Sequence, residues 1–181
     1  LTLGTVIFLQ SALSFWQGYR AVEEEKVLEE RNIPVVADEI SPPDHSYDIG
    51  EKIGYLHIER AKERIPIYHG SSEQELKKGI AHIEKSAWPD EGGNIVLSGH
   101  RDTVFRNIGN WQDGDKLVLE IAESQYEYKI KKIRIVDKED DTVLVPRPRE
   151  QLTITTCYPF QFIGSAPERY VVVAERIKNK G

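Results

Sequence analysis

The chain contains no methionine and a single cysteine, Cys157, among its 181 residues. One thiol excludes any internal disulfide, so the fold has to rest on an apolar core and not on covalent staples. Without an initiator methionine, Leu1 is expected to follow an upstream segment. Basic blocks are missing too. The formal net charge is -6, with no Lys/Arg cluster of the kind that neutralises phosphates, which argues against nucleic acid as a partner. The one basic run, Lys129, Lys131, Lys132 and Arg134, alternates along a predicted strand and reads as a solvated sheet face. None of the five histidines forms HExxH or another tight metal-ligand spacing, so zinc is not expected. Internal repeats and low-complexity tracts are absent.

What remains is an ordinary globular composition, 39% hydrophobic and 30% charged, with a distinctive start. Residues 1–19 carry no charge and end in Trp16 and Tyr19, immediately before Arg20. A membrane span needs roughly 20 mostly apolar residues, and amphipathic rings beside a cation suit a bilayer interface. Residues 1–20 are therefore expected to form at least part of a membrane anchor. A buried core helix is the alternative, given Gln10, Ser11, Ser14 and Gln17. Residues 21–52 follow as a Glu-rich helical stalk and a linker holding Pro34, Pro42 and Pro43. The folded domain is expected over 53–181.

Strand signals then recur at short spacing: 53–59, 65–69, 94–100, 116–121, 126–136, 152–157 and 170–177. One helix is expected over 71–80, opened by an N-cap serine. Turn signals at Glu91-Gly92-Gly93, Asp113-Gly114-Asp115 and Asp140-Asp141 separate the strands. Six to eight strands with one helix predict a mostly-β barrel or sandwich. The connection after Cys157, residues 158–168, is long for a hairpin, and long loops are more often functional.

Cys157 ends a strand at the mouth of that loop. A lone thiol is more often a buried packing group. Two other residues point away from that reading. His100, in Ser98-Gly99-His100-Arg101-Asp102, ends an apolar strand where an imidazole reaches solvent. Cysteine nucleophiles need such a group to stabilise thiolate and to protonate a leaving amine. Arg169 opens the strand after the loop, and hairpin geometry sets it near the residue that closes the partner strand, Cys157. A guanidinium there can stabilise an oxyanion.

The segments LSGHRDTVF (97–105), LTITTCYPF (152–160) and APERYVVVAE (166–175) resemble the three signature regions of the sortases, cysteine transpeptidases of Gram-positive cell surfaces. The resemblance runs from about Ile53 to Ile177 in matching order. It implies a closed eight-stranded β-barrel with one or two short helices, preceded by an N-terminal helix. It makes Cys157 the nucleophile, His100 the general acid/base and Arg169 the substrate and oxyanion stabiliser. Thr156 matches a position that lines the substrate groove. The text TTCYPF and GSAPERY is most similar to class D sortases, with class A as the competitor.

The implied reaction cleaves an LPxTA- or LPxTG-type sorting signal after Thr and passes the acyl group through a thioacyl enzyme to a cell-wall amine. A cysteine hydrolase of surface peptides is the rival activity. The implied location is a single-pass membrane protein with its catalytic domain outside. No cofactor is expected, while acidic residues at Asp90-Glu91 and Asp137–Asp141 leave calcium modulation open.

Overall fold

The computed structural model describes residues 46–161 and 164–177. The strands are β1 (Lys52–Ile58), β2 (Glu63–His69), β3 (Ile80–His82), β4 (Asn94–Ser98), β5 (Lys116–Ile121), β6 (Ser124–Asp137), β7 (Gln151–Tyr158) and β8 (Glu168–Arg176). They close into a barrel in the order β1-β2-β3-β4-β7-β8-β6-β5. Short helical pieces complete it: helix α1 (Glu73–Lys78) and 3-10 turns at Ile108–Asn110 and Asp141–Val143. The closed eight-stranded barrel with few short helices agrees with the expected fold class.

Alternation in the sequence explains the walls. In β5, Leu117, Leu119 and Ile121 are buried while Lys116, Val118 and Glu120 are half-exposed. In β7, Leu152 and Ile154 join the core formed with Leu97, Leu119, Ile130 and Val172. The basic face of β6 alternates only in part. A bulge between Ile130 and Lys132 sets Lys131 and Lys132 on the exposed side together.

Helix α1 is shorter than its sequence suggests. Ser72 caps it in a reciprocal box with Glu75, whose carboxyl the Ser72 hydroxyl holds below the usual carboxylate range. At the other end Gly79 lies against β2, where an added Cβ would stand 2.4 Å from the Pro66 carbonyl oxygen. That approach lets the chain turn into β3, a three-residue strand beside Ile67–His69 that the sequence reading absorbed into the helix and the following loop.

Among the described residues, some ahead of the expected domain start at residue 53 also pack on the barrel. Tyr47 rests on Trp88 with ring centroids 5.3 Å apart. Gly50 N–H donates to the His69 carbonyl at 2.7 Å, and His69 N–H donates to the Glu51 carbonyl at 2.8 Å. The expected anchor (1–20) and most of the stalk and linker lie outside the described residues. Among the described residues no helix is long and apolar enough to cross a membrane.

Candidate active site

Two strands far apart in sequence run side by side and in parallel here. β4 pairs with β7 from Asn94 opposite Gln151 to Ser98 opposite Thr155. The last backbone link is Gly99 N–H to the Thr155 carbonyl, at 3.3 Å. Carrying that register two residues further sets His100 opposite Cys157. Side chains alternate across a strand, so the inward course of Leu152 and Ile154 puts Cys157 on the outer face. The inward course of Ile95 and Leu97 does the same for His100.

β8 supplies the third group. The antiparallel β7–β8 register pairs Cys157 directly with Arg169, as the hairpin argument anticipated. Cβ atoms of directly opposed residues lie roughly 4.5–5.5 Å apart, so thiol and guanidinium share one patch of the outer face. Arg169 donates through Nη1 to the carbonyls of Ala166 at 3.2 Å and Glu168 at 3.0 Å. Those bonds anchor one nitrogen. Nε and Nη2 have no partner among the described residues and remain donors for a ligand.

His100 is set by its own backbone. Its carbonyl accepts from Phe105 N–H at 3.1 Å and Thr103 N–H at 3.4 Å, which closes the following turn. The imidazole is 39% exposed, with Nε2 4.0 Å from Glu73 Oε2 at the start of α1. That is too long for a hydrogen bond, and Glu73 is itself largely exposed. Cys157 is half-buried and unpaired. A thiol, an imidazole and a guanidinium at the ends of three adjacent strands can perform acyl transfer: attack, proton delivery and oxyanion stabilisation.

Thr156, expected in the substrate groove, is instead 2% exposed. It faces inward, and its hydroxyl donates to the Gly99 carbonyl at 2.7 Å. Thr155 shares the outer face with Cys157, and its buried hydroxyl has no partner among the described residues. Beyond Cys157, Tyr158, Phe160 and Tyr170 pack at centroid distances of 5.1 to 6.1 Å and cap this end of the barrel. Burial pushes the Tyr170 phenol up. Sequence reasoning missed Arg101. Its side chain is 9% exposed, and its Nη1 donates to the Pro159 carbonyl at 3.0 Å. The available signal was a charged residue directly after His100.

The acidic clusters make protein contacts. Asp90 pairs with Arg176 at 3.4 Å, Asp137 accepts from Glu139 N–H at 2.9 Å, and Asp140 accepts from Thr142 N–H at 2.9 Å. The bond from Thr142 holds the Asp140 carboxyl below its usual range. Among the described residues no three His, Cys, Asp or Glu side chains converge as a metal set.

Comparison with known proteins agrees with this geometry. A profile described as "Sortase domain" matches residues 56–177. Sortase D of Bacillus subtilis (strain 168) is 42% identical over 131 residues, covering 72% of this chain and 66% of that protein. Sortase SrtE1 of Streptomyces coelicolor is 33% identical over 75% of this chain and 44% of its own length. The matches thus span just under two thirds and under one half of these relatives. Among solved structures, a Clostridium perfringens Sortase D5 transpeptidase superposes with a TM-score of 0.67 at 29% identity, over 91% of this chain and 94% of that one. Sortase A from Corynebacterium diphtheriae gives 0.65 at 28% identity, over 72% and 62%. A barrel with this strand order, these three chain segments in register and these relatives has one placement: the chain belongs to the sortase family.

Proposed function

We propose that this chain is a cysteine transpeptidase that joins surface proteins to a cell-wall amine. The observation that carries the reading is the direct cross-strand pairing of Cys157 with Arg169, with His100 at the end of the neighbouring parallel strand. In the first step the Cys157 sulfur attacks the Thr carbonyl of a sorting signal, forming a C–S bond. Arg169 holds the oxyanion, and as the C–N bond breaks His100 gives its proton to the departing amine. In the second step an acceptor amine attacks the thioacyl carbon, His100 takes back a proton, and the thiolate leaves. The acyl bond energy is conserved through the relay, so no nucleotide is consumed.

The substrate is of LPxTA or LPxTG type, and the relatives named Sortase D and Sortase D5 favour a class D assignment. The acceptor is an amine of a peptidoglycan precursor or crossbridge. The catalytic domain works outside the cell, with residues 1–20 serving as part of its membrane anchor. Thr156 acts from beneath the site, holding the exit of β4, and does not line the groove.

The test is incubation of the protein with LPxTA and LPxTG peptides and candidate amines, read by mass spectrometry. Cleavage after Thr, an amine-dependent ligated product and a thioacyl adduct at Cys157 are expected. All three should vanish in a folded Cys157→Ala variant. Cleavage without any ligated product would make the protein a hydrolase. No cleavage and no adduct would refute the reading altogether.

A further inference from the structure

We propose that Arg101 is a positioning residue that sets the spacing between His100 and Cys157. The inference rests on the reading that those two residues act together. The strands that carry them lose their backbone ladder just before they matter. β4 and β7 are paired only up to Ser98 and Thr155, and the last backbone bond is Gly99 N–H to Thr155 O. Past that point β7 continues against β8, while the chain from β4 turns away through Thr103–Phe105. A backbone ladder fixes the spacing of the residues it pairs, whereas two diverging chains lack those bonds.

Two side-chain bonds replace the missing rungs, one on each side of the pair. Before it, the Thr156 hydroxyl donates to the Gly99 carbonyl at 2.7 Å. After it, Arg101 Nη1 donates to the Pro159 carbonyl at 3.0 Å. The first bond joins the residue preceding His100 to the residue preceding Cys157. The second joins the residue following His100 to the second residue after Cys157. The pair is bracketed at both ends, and the outer bracket includes the Arg101 guanidinium.

Its environment fits that task better than a role in solvent. Arg is almost never fully buried unless paired, yet this side chain is 9% exposed. The nearby Asp102 carboxylate is 3.7 Å from Nε and 66% exposed, a weak, water-screened contact. The bond to Pro159 is a directional contact that ties the head group to the chain beyond Cys157, and a charge-assisted bond is about twice as strong as a neutral one. With a side chain only 9% exposed, Arg101 offers little surface to a bound peptide. Its removal should change the catalytic step and leave substrate affinity alone.

Arg101→Met keeps the stem and removes every donor, and Arg101→Lys restores a charged donor without the planar fork. A displacement of about 1 Å at reacting groups costs on the order of a hundredfold in rate. For Met, kcat is expected to fall roughly 30- to 100-fold with KM within twofold, and Lys should recover part of that loss. Because Cys157 is the only cysteine, its alkylation by iodoacetamide between about pH 5 and 9 gives a second readout that needs no peptide substrate. His100→Ala defines the rate without the imidazole, and Arg101→Met should move the wild-type pH profile toward it. A folded Met variant with wild-type kcat or a wild-type alkylation profile overturns the proposal. So does a Lys variant as impaired as Met. Loss of folding in both would show Arg101 holding the barrel and not the pair, which also overturns it. If the wild type turns over no sorting peptide, the proposed function fails. The alkylation series then still decides whether Arg101 holds His100 to Cys157.

Discussion

Replacing Gly99 by alanine adds one methyl at the junction between β4 and the turn that presents His100. The space for it is already filled. A Cβ at Gly99 would stand 2.6 Å from Phe105 Cε2, 2.7 Å from Val104 Cγ2 and 2.8 Å from Phe105 Cδ2. Carbon atoms pack at about 3.5–4.0 Å, so the shortfall approaches 1 Å. Phe105 cannot swing away freely, because it is fully buried and packs edge-on to Trp111 at 5.9 Å. Either the ring is forced into a filled core, or the backbone at Gly99 retreats and carries His100 with it. Overpacking of this kind costs about 1–3 kcal/mol. For a domain of this size that lowers Tm by roughly 3–12 °C. If the backbone yields, the His100 displacement costs on the order of a hundredfold in kcat. Thermal unfolding and peptide turnover on the same preparation check both arms. A Tm within about 1 °C of wild type, together with kcat within twofold, would show that the site tolerates the methyl and would refute the reasoning.

Two further perturbations separate the site from the frame. Thr156→Val keeps the side-chain shape and strands the buried Gly99 carbonyl, which costs about 1–3 kcal/mol of stability; Thr156→Ser should recover most of it, as denaturant titration would report. Glu120 accepts from His57 Nε2 at 2.8 Å and from Arg64 Nη2 at 3.1 Å, and these partners, His57 first, hold its carboxyl below the usual range. A lowered folded-state pKa adds stability above the unfolded carboxylate's pKa of about 4.3, and that stability fades as pH falls through the folded value. Glu120→Gln should therefore destabilise by about 1 kcal/mol at neutral pH, and the gap to wild type should close in acid; a gap that stays constant with pH would contradict the assignment.

Legibility in the sequence followed the range of the interactions. The strands with clean alternation, such as β5, and the Cys157–Arg169 pairing were readable because hairpin neighbours are local in the chain. β3 was not, since its three residues are all buried and give no alternation. That His100 lies beside Cys157 required the parallel β4–β7 pairing, which no local pattern encodes. The resemblance to known motifs carried that step. The placement of Thr156 was available but overlooked. If Cys157 faces outward, the residue before it faces inward, and its 2% exposure follows from the period of a strand. The tie from Arg101 to the Pro159 carbonyl was invisible because it spans 58 positions and ends on a backbone oxygen.

The parallel neighbours β4 and β7 also have a kinetic consequence. Between them the chain must build β5 and β6, so the two halves of the site meet only when residues more than fifty positions apart pair. Domains dominated by such distant pairings fold on the order of milliseconds to seconds, because the entropy of closing the long loop is lost before the contact rewards it. A partly folded chain thus carries the cysteine without the groups that surround it in the closed barrel. Time-resolved alkylation during refolding would then time barrel closure from a single sulfur.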